Sequence, residues 1–227
     1  MKKTKIICSI GPATQNWENF KGLVKAGMNV ARINFSHATI EERRLDESLV
    51  NRAREELGAD IGILYDTKGP DLRTCNFKDD KLELVKGNMI RIVEDDVIGT
   101  NEVISLNYKG VLKDLNVGSK ILLDDGFYEL IVRSIENDGV TCEIMNSGVI
   151  KSRRGVCMPG VKLDVPYISE KDKEDIKYAC DNDGDFLAIS FVNSKEDVLA
   201  VKELCKEFGK PDMLIISKVE TQYAMDN

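Results

Sequence analysis

Basic charge is in deficit: 32 Lys and Arg stand against 39 Asp and Glu, a formal net charge of -7. Nucleic acid and anionic membrane surfaces select for the opposite sign. Neither is expected as a partner, and any anionic ligand has to be met by a local basic pocket. Long apolar runs are lacking as well. No stretch approaches the ~18 residues that span a bilayer. The start, MKKTKIICSIGPAT, reaches Gly11 and Pro12 before it has the ~7–15 apolar residues of a secretion signal. A cytoplasmic location is the expectation. The cysteines (Cys8, Cys75, Cys142, Cys157, Cys180, Cys205) form no CxxC pair and no metal-like spacing, which points to buried free thiols and not to a disulfide framework. Neither GxxxxGK[ST] nor GxGxxG occurs, so a nucleotide, if used, is not held by a P-loop or a Rossmann turn. Aromatics are sparse at 6%, and His37 is the single histidine.

The first seventy residues alternate between two periods. TKIICSI, NVARINF and IGILYDT read as strands. NWENFKGLVKAGM reads as a helix with Phe20, Leu23 and Val24 on one face. TIEERRLDESLVNRAREELG reads as a longer one, with Thr39 as cap, Glu42 completing a capping box and Gly58 as terminator. This βαβαβ rhythm predicts a parallel sheet with helices packed outside it. From Asp71 the texture changes to short β-prone runs (LELV, MIRIV, EVISL, KILLDDGFYELIV, VTCEIM) broken by Gly, Asn and Asp turns, which predicts a small all-β domain. The αβ rhythm resumes at PYISEKDKEDIKYACDNDG, where Ser169 caps a helix, and continues through DFLAISF, SKEDVLAVKELCKEFG and DMLIISKVE. The expected architecture is α/β: a (β/α)8-type TIM barrel domain over 1–70 and 166–227, interrupted by an all-β, barrel-like lid domain over 71–165. Five array strands are visible where a closed barrel needs eight, so the barrel is expected to be incomplete in this chain.

Active sites of parallel β/α folds gather at the carboxyl ends of the strands, and three of those ends carry charged groups. NVARINFSH places Arg32, Asn34 and Ser36 on one strand face, with His37 following. The third strand ends in Asp66, Thr67 and Lys68 before GPDLR, the fourth in SFVN, and the fifth in Lys218-Val219-Glu220. Each residue also has a plain structural reading. Arg32 could pair with a structural carboxylate, Asn34 and Ser36 could satisfy nearby backbone, and His37 could be a neighbour of a helix cap. Asp66-Thr67 could form an Asx-type turn, and Lys218 and Glu220 could serve each other. Chemically, the set suits a phosphorylated acid. Arginine supplies a fork for phosphate and lysine a point charge for a group in transfer. Glu220 could hold Mg²⁺, and the Asn, Ser, Thr and Asp oxygens form a cage suited to a hard cation of lower charge.

TKIICSIGPAT, AGMNVARINFSH, DTKGPDLRT, LDDG, GVCMPG, SEKDKEDI, ISFVNSKEDV and IISKVE together resemble the pyruvate kinase family, in its order and essentially end to end. The resemblance implies transfer of a phosphoryl group from phosphoenolpyruvate to ADP, giving pyruvate and ATP, the last step of glycolysis. It assigns the phosphate of phosphoenolpyruvate to Arg32 and the phosphoryl group in flight to Lys218. It assigns K⁺ to Asn34, Ser36, Asp66 and the backbone of Thr67, and Mg²⁺ to Glu220. The nucleotide would meet Asn34, Phe35, Ser36, His37, Arg73 and Arg154. The acid at Asp71, just after Gly-Pro, implies dependence on K⁺, since a lysine stands there in the family's K⁺-independent members. The full-length form is expected to be a cytoplasmic homotetramer.

The sequence departs from the family pattern at Arg154, where a lysine is usual, at Asn193, usually arginine, and at Thr221, usually asparagine. The family's second Mg²⁺ carboxylate, its substrate-binding Gly-Asp loop, a later threonine and its effector domain would all fall beyond Asn227. This chain by itself is therefore expected to be inactive. Two other readings stay open: a non-catalytic remnant that binds ligands or a complementary chain, and a Mg²⁺-dependent pyruvate or enolpyruvate lyase on a similar barrel.

Overall fold

The computed structural model describes residues 3–161 and 165–227. The opening two residues and the stretch 162–164, part of the expected lid domain, lie outside that description. The chain divides into two compact units, one of residues 1–70, 167–220 and 227, the other of 71–166 and 221–226.

In the first unit, β1 (Ile7–Ser9), α1 (Trp17–Ala26), β2 (Val30–Asn34), α2 (Ile40–Leu57) and β3 (Gly62–Asp66) follow one another. The helix ends form as their side chains dictate. Asn16 accepts the Asn19 amide at the start of α1. At α2, Thr39 and Glu42 satisfy each other's backbone in a capping box, and Gly58 closes the helix in the left-handed region.

The second unit holds β4 (Lys81–Leu84), β5 (Met89–Val93), β6 (Val103–Ser105), β7 (Lys120–Leu123), β8 (Tyr128–Glu136), β9 (Gly139–Ile144), β10 (Gly148–Lys151) and β11 (Val156–Cys157). They form a six-stranded sheet in the order β11-β7-β8-β9-β5-β6 and a β4–β10 pair. KILLDDGFYELIV, which reads as one β-prone run, is two antiparallel strands. Asp124, Asp125 and Gly126 all take positive φ between them, which reverses the chain. Leu82, Ile90, Ile92, Ile104, Ile121, Leu123, Leu130 and Val132 close a core of the unit's own.

The array resumes with α3 (Glu170–Asp181), β12 (Phe186–Ile189), α4 (Lys195–Glu207) and β13 (Leu214–Ser217). A short α5 (Gln222–Asp226) follows and is assigned to the second unit. Ser169 and Ser194 each form a capping box with an aspartate three residues on. The sheet is parallel, in the order β1-β2-β3-β12-β13. One face is covered by the helices: Ala31, Ile33, Ile63, Tyr65, Leu187 and Ile189 are buried there, with Phe20, Val50, Ile176 and Val201 from the helices. On the other face Val30, Leu64 and Ala188 form a small apolar cluster, beyond which polar residues follow. Buried cysteines are Cys142, Cys180 and Cys205. Cys8 and Cys75, also expected to be buried, are only half-buried, and Cys157 is exposed, because it lies on the two-residue edge strand β11.

Candidate active site

Parallel pairing sets Asn34 opposite Asp66, Ser9 opposite Arg32 and Ile189 opposite Ser217. Alternation then brings Ser9, Arg32, Asn34, Asp66, Ser190 and Lys218 to one face at the carboxyl ends of the five strands. Asp66, 2% exposed, is the hub. Arg32 donates to its Oδ2 through Nε at 2.7 Å and through Nη2, and to the Ser9 hydroxyl through Nη1 at 2.6 Å. A guanidinium has five N–H donors, so two are left for a ligand. Lys218 Nζ lies 2.7 Å from the Ser190 hydroxyl, 3.3 Å from Asp66 Oδ1 and 3.4 Å from Glu220 Oε1. Three donors meet three acceptors, and the ammonium is held in place. The two cations, Arg32 and Lys218, are balanced by two carboxylates, Asp66 and Glu220, so the four charged groups of the rim sum to zero.

Ser190 binds the rim together. Its hydroxyl donates to the Thr67 carbonyl at 2.6 Å, and its own carbonyl accepts the Tyr167 phenol at 3.1 Å. Burial, with the Asp197, Asp172 and Glu220 carboxylates adding to it, pushes that phenol above its usual value and keeps it a donor. Gly69 has φ 62, and a Cβ there would lie 2.7 Å from the Ser190 carbonyl oxygen. Only glycine allows the chain leaving β3 to pass so close. Phe191 also takes a left-handed conformation, φ 54. That turns its amide onto Glu220 Oε2 at 2.8 Å.

The turn after β2 is equally ordered. Asn34 Oδ1 accepts the Ser36 amide at 3.0 Å, and the Asn34 carbonyl accepts from His37 and Ala38. The Asx-type turn, one of the two readings of Asp66-Thr67, is found here instead, since Asp66 is committed to Arg32 and Lys218. Phe35 points to the helix side, stacked on Tyr65 at 5.0 Å, and so cannot contact a ligand with its ring. Ser36 and His37 are exposed.

By type, these are oxygens that a monovalent hard cation takes, although Asn34 Oδ1, Asp66 and the Thr67 carbonyl already accept hydrogen bonds within the protein. The Asn34 amide, the Ser36 hydroxyl, the Asp66 carboxylate and the Thr67 carbonyl come from two adjacent turns and carry one formal charge. The fit to Mg²⁺ is thinner. Glu220 offers one carboxylate, and no group of three or more His, Cys, Asp or Glu stands close enough to hold a metal ion among the described residues.

A rim with this residue order along the chain can be compared with known proteins. The family model for the pyruvate kinase barrel domain matches residues 1–227. The chain belongs to the pyruvate kinase family. Pyruvate kinases of Bacillus licheniformis (45% identical) and Staphylococcus epidermidis (43%) match all of this chain and 39% of their own length. That of Staphylococcus aureus strain USA300 is 43% identical over the same share. The chain thus spans about two-fifths of the curated pyruvate kinases it matches.

Arg73 and Arg154 belong to the second unit. Arg73 pairs with Asp71 at 2.5 Å and donates to the Arg153 carbonyl at 2.9 Å. Arg154 Nε lies 3.6 Å from Asp124 and is buried without a hydrogen bond. Arg153, before it, is held at φ 58. Two residues of the rim are given no role by the sequence: Ser9, and Ser190, which opens the SFVN at the end of the fourth strand. Each is a lone serine in an apolar run, and the available signal was its position at a strand's carboxyl end.

Proposed function

We propose that this chain carries the phosphoryl-transfer rim of a cytoplasmic pyruvate kinase acting on phosphoenolpyruvate and ADP, in a full-length form that is a homotetramer. The observation that carries the reading is the Arg32–Asp66–Lys218–Glu220 chain of ion pairs across β2, β3 and β13. In the proposed reaction the enol C–O–P linkage breaks at phosphorus, and a terminal oxygen of ADP takes the phosphoryl group. The enolate left behind gains a proton at carbon to give pyruvate. Arg32 would bind the phosphate with its two spare N–H groups. Lys218 would follow the group in flight, its three bonds exchanged one at a time for phosphoryl oxygens. Asn34, Ser36, Asp66 and Thr67 would hold K⁺, and Glu220 would hold Mg²⁺ with substrate and water completing its shell. Bound cations would supply positive charge against the phosphoryl oxygens, the main need of such a transfer. Asn34, Phe35, Ser36, His37, Arg73 and Arg154 are the proposed nucleotide contacts, Phe35 through its backbone alone.

The test is a lactate-dehydrogenase-coupled assay on the complete product of the gene, with phosphoenolpyruvate, ADP, Mg²⁺ and K⁺. Turnover of about 1–100 s⁻¹ is expected; absence of pyruvate formation would overturn the reading. Residues 1–227 expressed alone are expected not to turn over. Glu220 alone would serve Mg²⁺, and β1 and β13 are sheet edges with Ile7, Leu214 and Ile216 exposed.

A further inference from the structure

Helix α3 lies on the opposite side of the sheet from the polar rim, yet two buried aspartates one turn apart on it reach, one of them through Arg43, both turns of the proposed cation cage. Asp172 (4% exposed) accepts the Gly69 amide at 3.1 Å, in the turn that follows Asp66 and Thr67. Asp175 (1% exposed) accepts Arg43 Nη1 at 2.9 Å. Arg43, itself 4% exposed, reaches the other turn with its remaining nitrogens. Its Nε donates to the Ala38 carbonyl at 3.1 Å and its Nη2 to the Phe35 carbonyl at 3.3 Å. Those two carbonyls bracket Ser36 and His37. The guanidinium plane is fixed in turn by the Phe35 ring, 4.1 Å from its carbon, and by the Tyr178 ring of α3 at 5.3 Å.

A buried arginine–aspartate pair is an expensive way to gain stability, since apolar side chains fill such space as well or better. What the pair provides that apolar residues cannot is direction: a planar fork sets two carbonyls at fixed positions. Ion selectivity in an oxygen cage depends on the separation of its oxygens. A brace on the two turns is therefore a control on which ion the cage accepts.

We propose that Arg43, Asp172 and Asp175 are positioning residues that hold the Asn34–Ser36 and Asp66–Thr67 turns at the spacing of K⁺. They touch neither substrate nor ion. The inference rests on the reading of those four residues as a K⁺ site.

The test uses the complete gene product, with Arg43→Lys and the double variant Arg43→Met/Asp175→Met. The lysine keeps a charge for Asp175 but cannot span both carbonyls. The double variant removes both members of the buried pair and parts only the largely exposed Lys171 from Asp175, its partner at 2.9 Å, which protects against loss of fold. Two readouts are taken: the rise of Tm with K⁺ against choline in the absence of substrates, which reports ion binding directly, and the rate in K⁺ against Na⁺. For both variants the half-saturating K⁺ concentration is expected to rise at least tenfold and the K⁺/Na⁺ rate ratio to fall at least fivefold. The KM for phosphoenolpyruvate at saturating K⁺ should change less than twofold. Unchanged K⁺ affinity and selectivity in a folded variant, beside a K⁺-dependent parent, would overturn the brace and leave the cage standing. A parent whose Tm and rate are the same in choline, Na⁺ and K⁺ would overturn the cage, and the brace with it.

Discussion

The outer and inner faces of the five-stranded sheet are made from alternate residues of the same strands and differ in nearly every chemical respect. Outward, Ala31, Ile33, Ile63, Tyr65, Leu187 and Ile189 are each at most 2% exposed, packed against α1 to α4. Inward, a short apolar floor of Val30, Leu64 and Ala188 gives way toward the carboxyl ends to Arg32, Asp66, Ser190 and Lys218, joined by ion pairs and hydrogen bonds. The difference teaches that one strand can meet two demands with a period of two. Stability is carried by one register and, under the proposed function, chemistry by the other, so substitutions one residue apart should fail in different ways.

The largest effect is expected on the inner face. Lys218→Met removes the centre of the rim and should lower kcat by ~1,000-fold, about 4 kcal/mol. The Tm should shift little, because Asp66 retains Arg32. Steady-state kinetics beside a melting curve checks both halves. A variant that melts early yet turns over normally per folded molecule would break the comparison. Arg32→Ala comes next, at roughly 3 kcal/mol or ~100-fold in kcat/KM for phosphoenolpyruvate. Asp66 keeps Lys218 and Ser190 there, so the fold should survive.

One residue along β2, the expectation reverses. Ile33 is fully buried on the outer face, and Ile33→Ala should cost about 3 kcal/mol of stability by leaving a cavity. The specific activity of the folded fraction should be nearly unchanged. Urea unfolding monitored by circular dichroism, with activity corrected for the folded fraction, makes the contrast quantitative.

How far this division was legible depended on whether a signal was local. The alternation of Arg32 and Asn34 with Ala31 and Ile33 is visible in nine residues, and so is the Thr39–Glu42 box that starts α2. Strands β10 and β11 escaped notice because two to four residues carry too little pattern, and the Asp124–Gly126 reversal was hidden inside a continuous β-prone run. The commitments of the site are long-range. That Asp66 holds both Arg32 and Lys218, 34 and 152 residues away, follows from strand order and from nothing nearby. Arg43 and Asp175 lie 132 residues apart, and nothing local in either helix singles them out.

The smallest predicted effect probes the helical layer itself. Burial in α2 pushes Asp46 up from 3.8 to about 6, opposed by the bond from Gln15 and reinforced by Glu42 and Glu47. Between those two values the folded state keeps a proton that the unfolded chain has released. Stability should therefore fall as pH rises from about 4 to about 6 and level off above. Asp46→Asn should flatten that slope and add roughly 2 kcal/mol above pH 6, with kcat unaltered. Thermal melts across pH 4–8 would show it, and an unchanged slope would mean that the carboxyl is not held protonated.

The central claim, that the inner rim moves a phosphoryl group from phosphoenolpyruvate to ADP, is tested most directly by ³¹P NMR on the complete gene product. With Mg²⁺ and K⁺ present, the phosphoenolpyruvate resonance should decline as the γ-phosphate of ATP grows in equal amount, and Lys218→Met should halt both changes. Phosphoenolpyruvate that stays intact, or that yields inorganic phosphate without ATP, would contradict the account.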